Sequence, residues 1–215
     1  MTRRRSYVLA GALLALAATC AQSQELLDQV AARVESDIIL LSEVRSLRKY
    51  QILVDGKAES DAAILDRLVD QWIVRTEAET ARFPHPADLE VAHGVEHLES
   101  SFASTEECQA RKKQSGVTDK EIQRMLAEQL YLSNYLDSRF RPAVQVTAKQ
   151  VEDFYQEGVV PRAKARNQAP PSLDESREYI KEALVQRGIN EQAEIWLKES
   201  RSRLHVEKFL KESGK

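Results

Sequence analysis

The chain is short of glycine and of aromatic residues: it has 7 glycines among 215 residues, and Phe, Trp and Tyr make up only 6% of it. Strand-rich barrels and sandwiches usually need more turn glycines and more aromatic or β-branched side chains. Glu, Lys, Arg, Gln, Ala and Leu are common instead, and these residues favour helices. A net charge of −3 also lacks the basic footprint of nucleic-acid-binding domains. The composition therefore predicts a mainly helical protein that does not bind nucleic acid.

Long apolar runs are also missing, because none approaches the ~20 residues that a membrane-spanning helix needs. The longest run covers residues 7–18; it follows the cationic cluster 3–5 and precedes the small residues Ala21 and Ser23. This order is typical of a secretory signal peptide, so we predict that residues 1–23 are cleaved and that the mature protein is exported. Cleavage removes three arginines and no acid, which changes the net charge from −3 to −6.

Cysteine is nearly absent, since Cys20 and Cys108 are the two in the sequence. A cysteine that follows an apolar run, as Cys20 does, can become the lipidated first residue of a lipoprotein. The preceding Ala-Ala-Thr fits that recognition poorly, so we expect simple cleavage, with lipid anchoring at Cys20 as the alternative. The mature chain then holds one thiol, and packing rather than an internal disulfide must supply its stability. For Cys108 a buried, unreactive thiol is the favoured interpretation, and an intermolecular disulfide stays open.

Capping residues and apolar spacing predict the first elements of the mature chain. Residues 30–40 are apolar on either side of a polar turn, as in a hairpin, and Ser42 is the predicted N-cap of a first helix that ends near Gly56. Ser60 is the predicted N-cap of a second helix that continues to about Arg82. The apolar stripe of this second helix consists of Ile64, Leu65, Leu68, Val69, Trp72 and Ile73.

Further helices are predicted between residues 87 and 157. The first covers about 87–102, and its predicted buried stripe is Ala92, Val95, Leu98 and Phe102. Three reciprocal capping boxes follow, formed by Ser104 with Glu107, Thr118 with Glu121, and Thr147 with Gln150. A long helix over about 119–139 follows the second box, with an apolar side of Ile122, Met125, Leu126, Leu130, Leu132 and Leu136.

Residues 158–171 contain three prolines, three cations and no acid, and they show no apolar period, so we predict a linker. Ser172 and Glu175 then form a fourth capping box, which opens a helix to about residue 203. Residues 204–209 alternate as a strand, and because a lone strand leaves its backbone unsatisfied, we predict that it pairs with the hairpin. The predicted organisation is a signal peptide (1–23), a helical module (24–157), a linker (158–171), and a C-terminal helix and strand that pack back on the module (172–215).

The sharpest catalytic pattern is His93-Gly-Val-Glu96-His97, which fits the H-x-x-E-H order of inverted zinc proteases. On a helix the two histidines are one turn apart, so they could share a metal with Glu96 as general base. The fold that carries this pattern is larger, however, and brings a third acidic ligand from a distant helix. Val95 and Leu98 occupy the apolar stripe, which places the histidines on its flank. We interpret them as surface residues and predict neither a metal nor a cofactor.

Other catalytic signals are weaker. The best-placed serines are explained as helix caps, and the sequence has no G-x-S-x-G turn and no glycine-rich phosphate loop. Cys108 has no evident His and Asn arrangement around it. The cationic stretches 111–113 and 162–166 are interpreted as a solvated helix face and a linker. Trp72 and Trp196 fall on apolar stripes and are interpreted as core anchors, with a binding role as the alternative. We therefore predict that the protein is not an enzyme.

Four segments, in their order and separation, resemble SurA-type periplasmic chaperones: LDQVAARVESDIILLSEV, AAILDRLVDQWIVRTEAE, VTAKQVEDFYQE and INEQAEIWLKESRSRLHVEKF. They are similar to that family's hairpin and first helix, its second helix, its last helix before the isomerase insert, and its C-terminal helix and strand. The resemblance implies a fold like the family's N-terminal domain, with a small sheet made by the hairpin and the C-terminal strand. Full-length members carry parvulin-type prolyl isomerase domains where this chain has residues 158–171, which are too few for a core of their own.

The resemblance thus implies a chaperone core without the isomerase, which holds unfolded outer-membrane or secreted proteins in the periplasm without ATP. The hypothesis is that the helices from Ser60 to Phe140, closed by the helix from Ser172, form a cradle for these clients, whose individual contact residues are unknown. One alternative is a non-catalytic adaptor or structural envelope protein with one defined partner, dimeric through exchange of C-terminal helices. Another is an isomerase-family protein without its catalytic domain.

Overall fold

The structure, a computed structural model, describes residues 28–210. The predicted signal peptide, Cys20 and residues 211–215 lie outside the described residues. The elements in this range are β1 (Val30–Val34), β2 (Asp37–Leu40), α1 (Leu41–Asp55), α2 (Asp61–Thr80), α3 (Asp88–Ser100), α4 (Thr105–Ser115), α5 (Asp119–Phe140), a 3-10 turn (Arg141–Ala143), α6 (Ala148–Phe154), a π-helical turn (Tyr155–Val159), α7 (Val160–Ala165), α8 (Leu173–Arg201) and β3 (Val206–Lys208). The predicted class is confirmed, because these elements form a mainly helical fold with one small sheet.

The sheet joins the two ends of the described chain. Its strand order is β2–β1–β3, and both pairings are antiparallel. Val34 therefore pairs with Asp37 on one side and with Val206 on the other. Glu35 turns the chain between β1 and β2 with a φ of 52°, and its N–H donates to the carbonyl of His205 at 3.0 Å. The predicted pairing of the hairpin with the terminal strand is confirmed.

Helix α1 begins earlier than predicted, and the expected N-cap role of Ser42 is wrong. Strand β2 runs through Leu40 directly into the helix, so Ser42 lies inside the first turn. Glu43 Oε2 accepts from the N–H of Leu40 at 2.7 Å, and Asp28 Oδ1 accepts from the N–H of Ser42 at 3.2 Å. Because carboxylates satisfy these first-turn donors, the helix needs no serine cap.

Helix α2 lies at the centre of the main hydrophobic cluster. The five aliphatic residues of its predicted stripe are all buried: Ile64, Leu65, Leu68, Val69 and Ile73. They pack against Val34 of the sheet and Val44 of α1. Trp72 is partly buried at the edge of this cluster, and its Nε1 donates to Asp37 Oδ2 of β2 at 2.9 Å. The helix therefore holds the sheet by both apolar burial and a hydrogen bond.

Helix α5 contributes to two further clusters. One consists of Leu53, Val117, Ile122 and Leu126, and the other of Val74, Ala78, Tyr131, Leu132 and Tyr135. Tyr131 and Tyr135 were not in the predicted stripe, although they are 2% and 5% exposed. Phe83, which follows α2, packs edge-on against Tyr135 with ring centres 5.6 Å apart. Aromatic contact thus explains why the phenols of these two residues lie in the core.

Helix α3 is more exposed than predicted. It starts at Asp88 and ends at Ser100, and none of its 13 described residues is fully buried. Ala92 faces solvent, so its assignment to a buried stripe is wrong, while Val95 and Leu98 are half-buried on the third cluster. The helix packs against α5, where a Cβ at Gly94 would be in ordinary contact with Leu130, 3.5 Å away. Its apolar stripe is thus narrower than predicted, because Ala92 lies outside it.

Of the four predicted reciprocal capping boxes, three are present and the fourth is formed on one side only. Reciprocal boxes are present at Thr118 with Glu121, Thr147 with Gln150, and Ser172 with Glu175. At α4 the Ser104 hydroxyl accepts from the N–H of Glu107 at 3.2 Å, but the Glu107 carboxylate accepts from Ala103 instead of Ser104. The Ser104 box is therefore one-sided, and the cap itself is as predicted.

Residues 144–188, which we call the arm, comprise α6, the π-helical turn, α7 and the first half of α8; the remaining described residues form the body. The first part of the predicted linker 158–171 is helical, because helix continues to Ala165, and within the linker only 166–171 lie outside helices. Pro161 lacks an N–H, and in an α-helix its ring would clash with the carbonyl four residues earlier. The turn instead widens, and the N–H of Val160 donates to the carbonyl of Tyr155, five residues back.

Helix α8 spans the arm and the body. It buries Ile180 and Val185 in the arm, then Ile189 and Ala193 in the body. It passes through Gly188 as uninterrupted α-helix, and a Cβ at this position would lie 2.6 Å from Val144 Cγ1. A glycine usually weakens a helix, but here it is required because the Val144 side chain lies so close to the helix backbone.

The end of α8 is tied to α2 by charge. Arg201 Nη1 lies 3.1 Å from Asp66 Oδ1, and Arg201 Nη2 lies 2.8 Å from Asp70 Oδ1. Lys208 of β3 reaches the same Asp66 oxygen at 2.7 Å. Burial raises the pKa of Asp70, with Arg201 acting in the opposite direction. The C-terminal helix and strand therefore dock on one acidic turn of α2.

Candidate functional site

A groove with a volume of about 490 Å³ lies where α1, α2 and α5 diverge. This volume falls within the range of known ligand pockets, about 300–1,000 Å³. The three helices pack on one another below it, so the groove is a feature of the body's own architecture. We refer to this surface as the groove.

The floor of the groove is apolar. Leu47 of α1 and Leu68 of α2 form its base and are each 9% exposed. Met125 of α5 is half-buried beside them, and Val54, which is 42% exposed, extends the apolar surface outward. Methionine is flexible and polarisable, so this floor suits apolar groups of varied shape.

The rim carries charges that balance. Three acids and three arginines line the groove: Glu43, Asp55, Glu128, Arg67, Arg75 and Arg124. Arg75 Nε donates to Glu128 Oε1 at 2.7 Å, which links α2 to α5 across the groove. Arg67 Nη2 donates to Glu59 Oε1 at 2.8 Å. This hydrogen bond, together with a second one from the Gln51 amide, lowers the pKa of Glu59 to about 2. A ligand of either charge sign therefore gains little from the rim.

Amide and phenol groups complete the lining. The hydroxyl of Tyr50 donates to Gln129 Oε1 at 3.1 Å, and burial raises the pKa of this tyrosine. The NH₂ group of Gln129 and the whole amide of Gln71 have no protein partner among residues 28–210. An amide offers both a donor and an acceptor, which is the pattern that an extended peptide backbone needs. The groove can therefore contact apolar side chains and peptide groups at once.

The histidines of the H-x-x-E-H pattern lie at the surface of α3. His93 and His97 are both exposed on α3. Within the part of the chain that the structure describes, no three His, Cys, Asp or Glu side chains are close enough to hold a metal ion. The interpretation of His93 and His97 as surface residues is confirmed.

The other residues singled out from the sequence lie away from the groove. Cys108 is 4% exposed on α4, which confirms that this thiol is buried. Trp196 packs against the first two clusters, with the Arg139 guanidinium 4.9 Å from its ring centre. Arg162 and Lys164 are exposed on α7. Of the groove residues, Leu68 and Met125 belong to apolar stripes that the sequence predicted, and none had been assigned a binding role.

The groove is lined by other helices than the predicted cradle. Helix α1 lines it together with α2 and α5, whereas α3, α4 and α8, which the cradle included, do not. Helix α8 covers other parts of α2 and α5, where Trp196 and Leu197 fill the clusters. A sequence signal that could have located the groove is the four-residue spacing of Tyr50 and Val54. This spacing places the two side chains one turn apart on α1, next to the buried Leu53.

No protein-family model matches the chain, and no curated protein is significantly similar to it. Across residues 28–210 no helix combines the length and apolar character needed to cross a membrane. The groove, with its apolar floor and balanced rim, is therefore the observation on which a functional assignment can rest.

Proposed function

We propose that the protein is an ATP-independent holding chaperone of the periplasm, which binds unfolded outer-membrane or secreted proteins in the groove. The observation that carries the proposal is an apolar floor surrounded by equal numbers of acidic side chains and arginines. Such a surface attracts apolar segments of many sequences, because neither charge nor a fixed polar pattern selects among them. The resemblance to SurA-type chaperones supports the cellular setting.

The size of the groove supports release without an energy source. A groove of about 490 Å³ accommodates only a few side chains of a client, so each contact is individually weak. The amide of Gln71 and the NH₂ group of Gln129 add hydrogen bonds that do not depend on client sequence. A client that folds withdraws its apolar residues into its own core and leaves. ATP is therefore unnecessary for the cycle.

The test is suppression of aggregation. An unfolded β-barrel protein is diluted from urea into buffer with and without the purified protein, and light scattering is followed. We expect suppression at a near-stoichiometric ratio. Val54→Glu places a carboxylate against the apolar floor, so about tenfold more protein should be needed for the same effect.

Ile195→Glu is the matched control, since Ile195 is a branched aliphatic residue that is 55% exposed on α8, away from the groove. This variant should suppress aggregation as the unchanged protein does. Scattering that is unaffected at several-fold excess would remove the chaperone proposal. Faster cis–trans isomerisation of a proline-containing peptide would show an enzyme instead.

A second candidate is an adaptor that dimerises by exchanging α8 and β3 between two copies. The observation that favours it is the connection 166–171, which lies outside helices, ends in Pro170 and Pro171, and directly precedes α8. A connection of this kind permits the segment after it to dock on a second copy with the same contacts. Indifference to unfolded proteins, together with saturable capture of one partner, would favour this candidate.

A further inference from the structure

A second cavity, of about 360 Å³, lies between α1, α3, α4 and the start of α5. Its apolar lining includes Leu53, Leu98 and Ile122, and the Cys108 thiol of α4 also faces it. The groove lies on the other side of α1 and α5, where Tyr50, Val54 and Met125 face outward. The two spaces therefore do not share lining residues and can be tested separately.

Helix α3 covers this cavity with its C-terminal half, where the half-buried Val95 and Leu98 pack on the cluster below. Its N-terminal half is held to α5, because Asn134 Nδ2 donates to Glu90 Oε1 at 2.7 Å. Lys112 of α4 holds the helix from the opposite wall, because its Nζ lies 2.8 Å from Glu99 Oε1. The same Nζ lies 2.9 Å from Asp119 Oδ1 at the start of α5. Lys112 thus joins α3, α4 and α5 at the mouth of the cavity.

The chemistry of the mouth indicates what the cavity accepts. Lys112 is already bonded to two carboxylates, which raise its pKa, so a charged ligand finds no unpaired partner there. The apolar lining inside favours an uncharged aromatic or branched group. Gln109 and Gln123 flank the mouth with exposed amides that match the peptide groups on either side of a side chain.

We infer that this cavity is a second binding site, which takes one uncharged aromatic side chain of a bound polypeptide, and that α3 is its lid, held by the Lys112–Glu99 ion pair. The inference rests on the proposed function for its polypeptide source only. It gives the protein two separate contact points, a groove for apolar segments and a cavity for a single ring.

The test uses Cys108 as a reporter in a chain where Cys20→Ser leaves one thiol. The rate of modification by N-ethylmaleimide is measured with increasing N-acetylphenylalanine amide. We expect saturable protection, about tenfold when the ligand is at ten times its Kd. N-acetylalanine amide and N-acetylaspartic acid amide should not protect, because one lacks the ring and the other is charged.

The lid has its own variant pair. Glu99→Gln removes the ion pair to Lys112 and should speed Cys108 modification roughly threefold to tenfold. Glu96→Gln makes the same charge change on the same helix at an exposed position without an ion pair among the described residues, and it should leave the rate unchanged. Equal rates in both variants would overturn the lid.

Two results would overturn the binding site. One is no protection by the phenylalanine compound while denatured protein reacts normally; the other is equal protection by the aspartate compound. Protection by toluene as strong as that by the amide would assign the site to free small molecules and contradict a polypeptide ligand. Because aggregation suppression depends on Val54 and thiol protection on the cavity, either proposal can fail while the other stands.

Discussion

The body and the arm use helices of similar sequence character but bury very different amounts of apolar surface. The body contains three clusters that join the sheet, four helices and the end of α8. In the arm the buried residues are Val151, Ser176, Ile180 and Val185. The arm compensates with local geometry, such as the Thr147 cap, the Tyr155–Pro171 hydrogen bond of 2.7 Å and the Arg187 guanidinium over the Phe154 ring.

This difference shows that the two regions are stabilised differently: the body by apolar packing, and the arm by helix caps and individual polar contacts. Val69 lies in a cluster to which several helices and strands contribute side chains. Truncation of such a residue leaves a space that its neighbours cannot easily fill. Val151 is buried on α6, which packs on the single long helix α8, so fewer elements surround the space that its truncation leaves. The close contact between Gly188 and Val144 lies at the junction of the two regions. Each of the following predictions compares one region with the other.

The largest effect is expected from matched valine truncations. Val69 is 1% exposed in the body, and Val151 is 3% exposed in the arm. Val69→Ala should lower the free energy of unfolding by about 3 kcal/mol, and Val151→Ala by about 1 kcal/mol, because the arm can collapse around the missing methyl groups. Urea unfolding followed by circular dichroism measures both. Equal losses would show that the arm is packed as tightly as the body.

An intermediate effect is expected at the junction of the two regions. Gly188→Ala places a Cβ 2.6 Å from Val144 Cγ1, and we expect a loss of about 2 kcal/mol as the arm is displaced. Adding Val144→Ala to this variant should restore most of the stability, which a double-mutant cycle measures.

Gly158→Ala is the control for that substitution. A Cβ there would lie 3.7 Å from the Phe154 ring, which is ordinary contact. Helix propensity alone then predicts a gain of about 0.5–1 kcal/mol. If Gly188→Ala also raised the stability, the close approach of Val144 would not constrain the junction.

The smallest effect concerns pH. Glu182 of the arm is bonded by Arg141 of the body, with Nη2 and Oε1 2.7 Å apart, and this contact lowers its pKa from 4.5 to about 2. The unfolded chain therefore takes up the proton first as the pH falls. The stabilisation is complete above the ordinary value and is lost as the pH falls toward about 2. Unfolding free energies of the unchanged protein should decline more over this range than those of Glu182→Gln.

Glu178→Gln controls for the loss of one negative charge on α8, since Glu178 makes no ion pair within the described range. Its acid-induced loss of stability should equal that of the unchanged protein. A Glu182→Gln profile that matches the Glu178→Gln profile would show that the bond across the junction has no role in acid stability.

Features set by local chemistry could be predicted from the sequence. The Thr118 box, the Ser60 cap and the stripe that contains Ile64 follow from residues three or four positions apart. The terminal strand over 206–208 could also be placed, because a lone strand needs a partner and residues 30–40 were the available one. Each of these predictions depended on short-range spacing or on an unsatisfied backbone group.

Features set by tertiary contact could not be predicted in this way. Ser42 was displaced as a cap by Asp28 and Glu43, and the exposure of Ala92 depends on how few elements cover α3. Residues 158–165 lack an apolar stripe because they pack over a small area, yet they stay helical around Pro161. The groove and the cavity are spaces between helices, which only the packing of the helices determines.

The position of β1 in the sheet has a consequence for the order in which the molecule is completed. Its two neighbours are far apart in the chain, since β2 follows directly while His205 lies 170 residues after Glu35. As the ribosome adds residues, one row of backbone donors and acceptors on β1 stays open until the segment around Val206 emerges. An open strand edge readily pairs with other polypeptides. A newly made copy is thus exposed to association through this edge until Val206–Lys208 has been synthesised and pairs with β1.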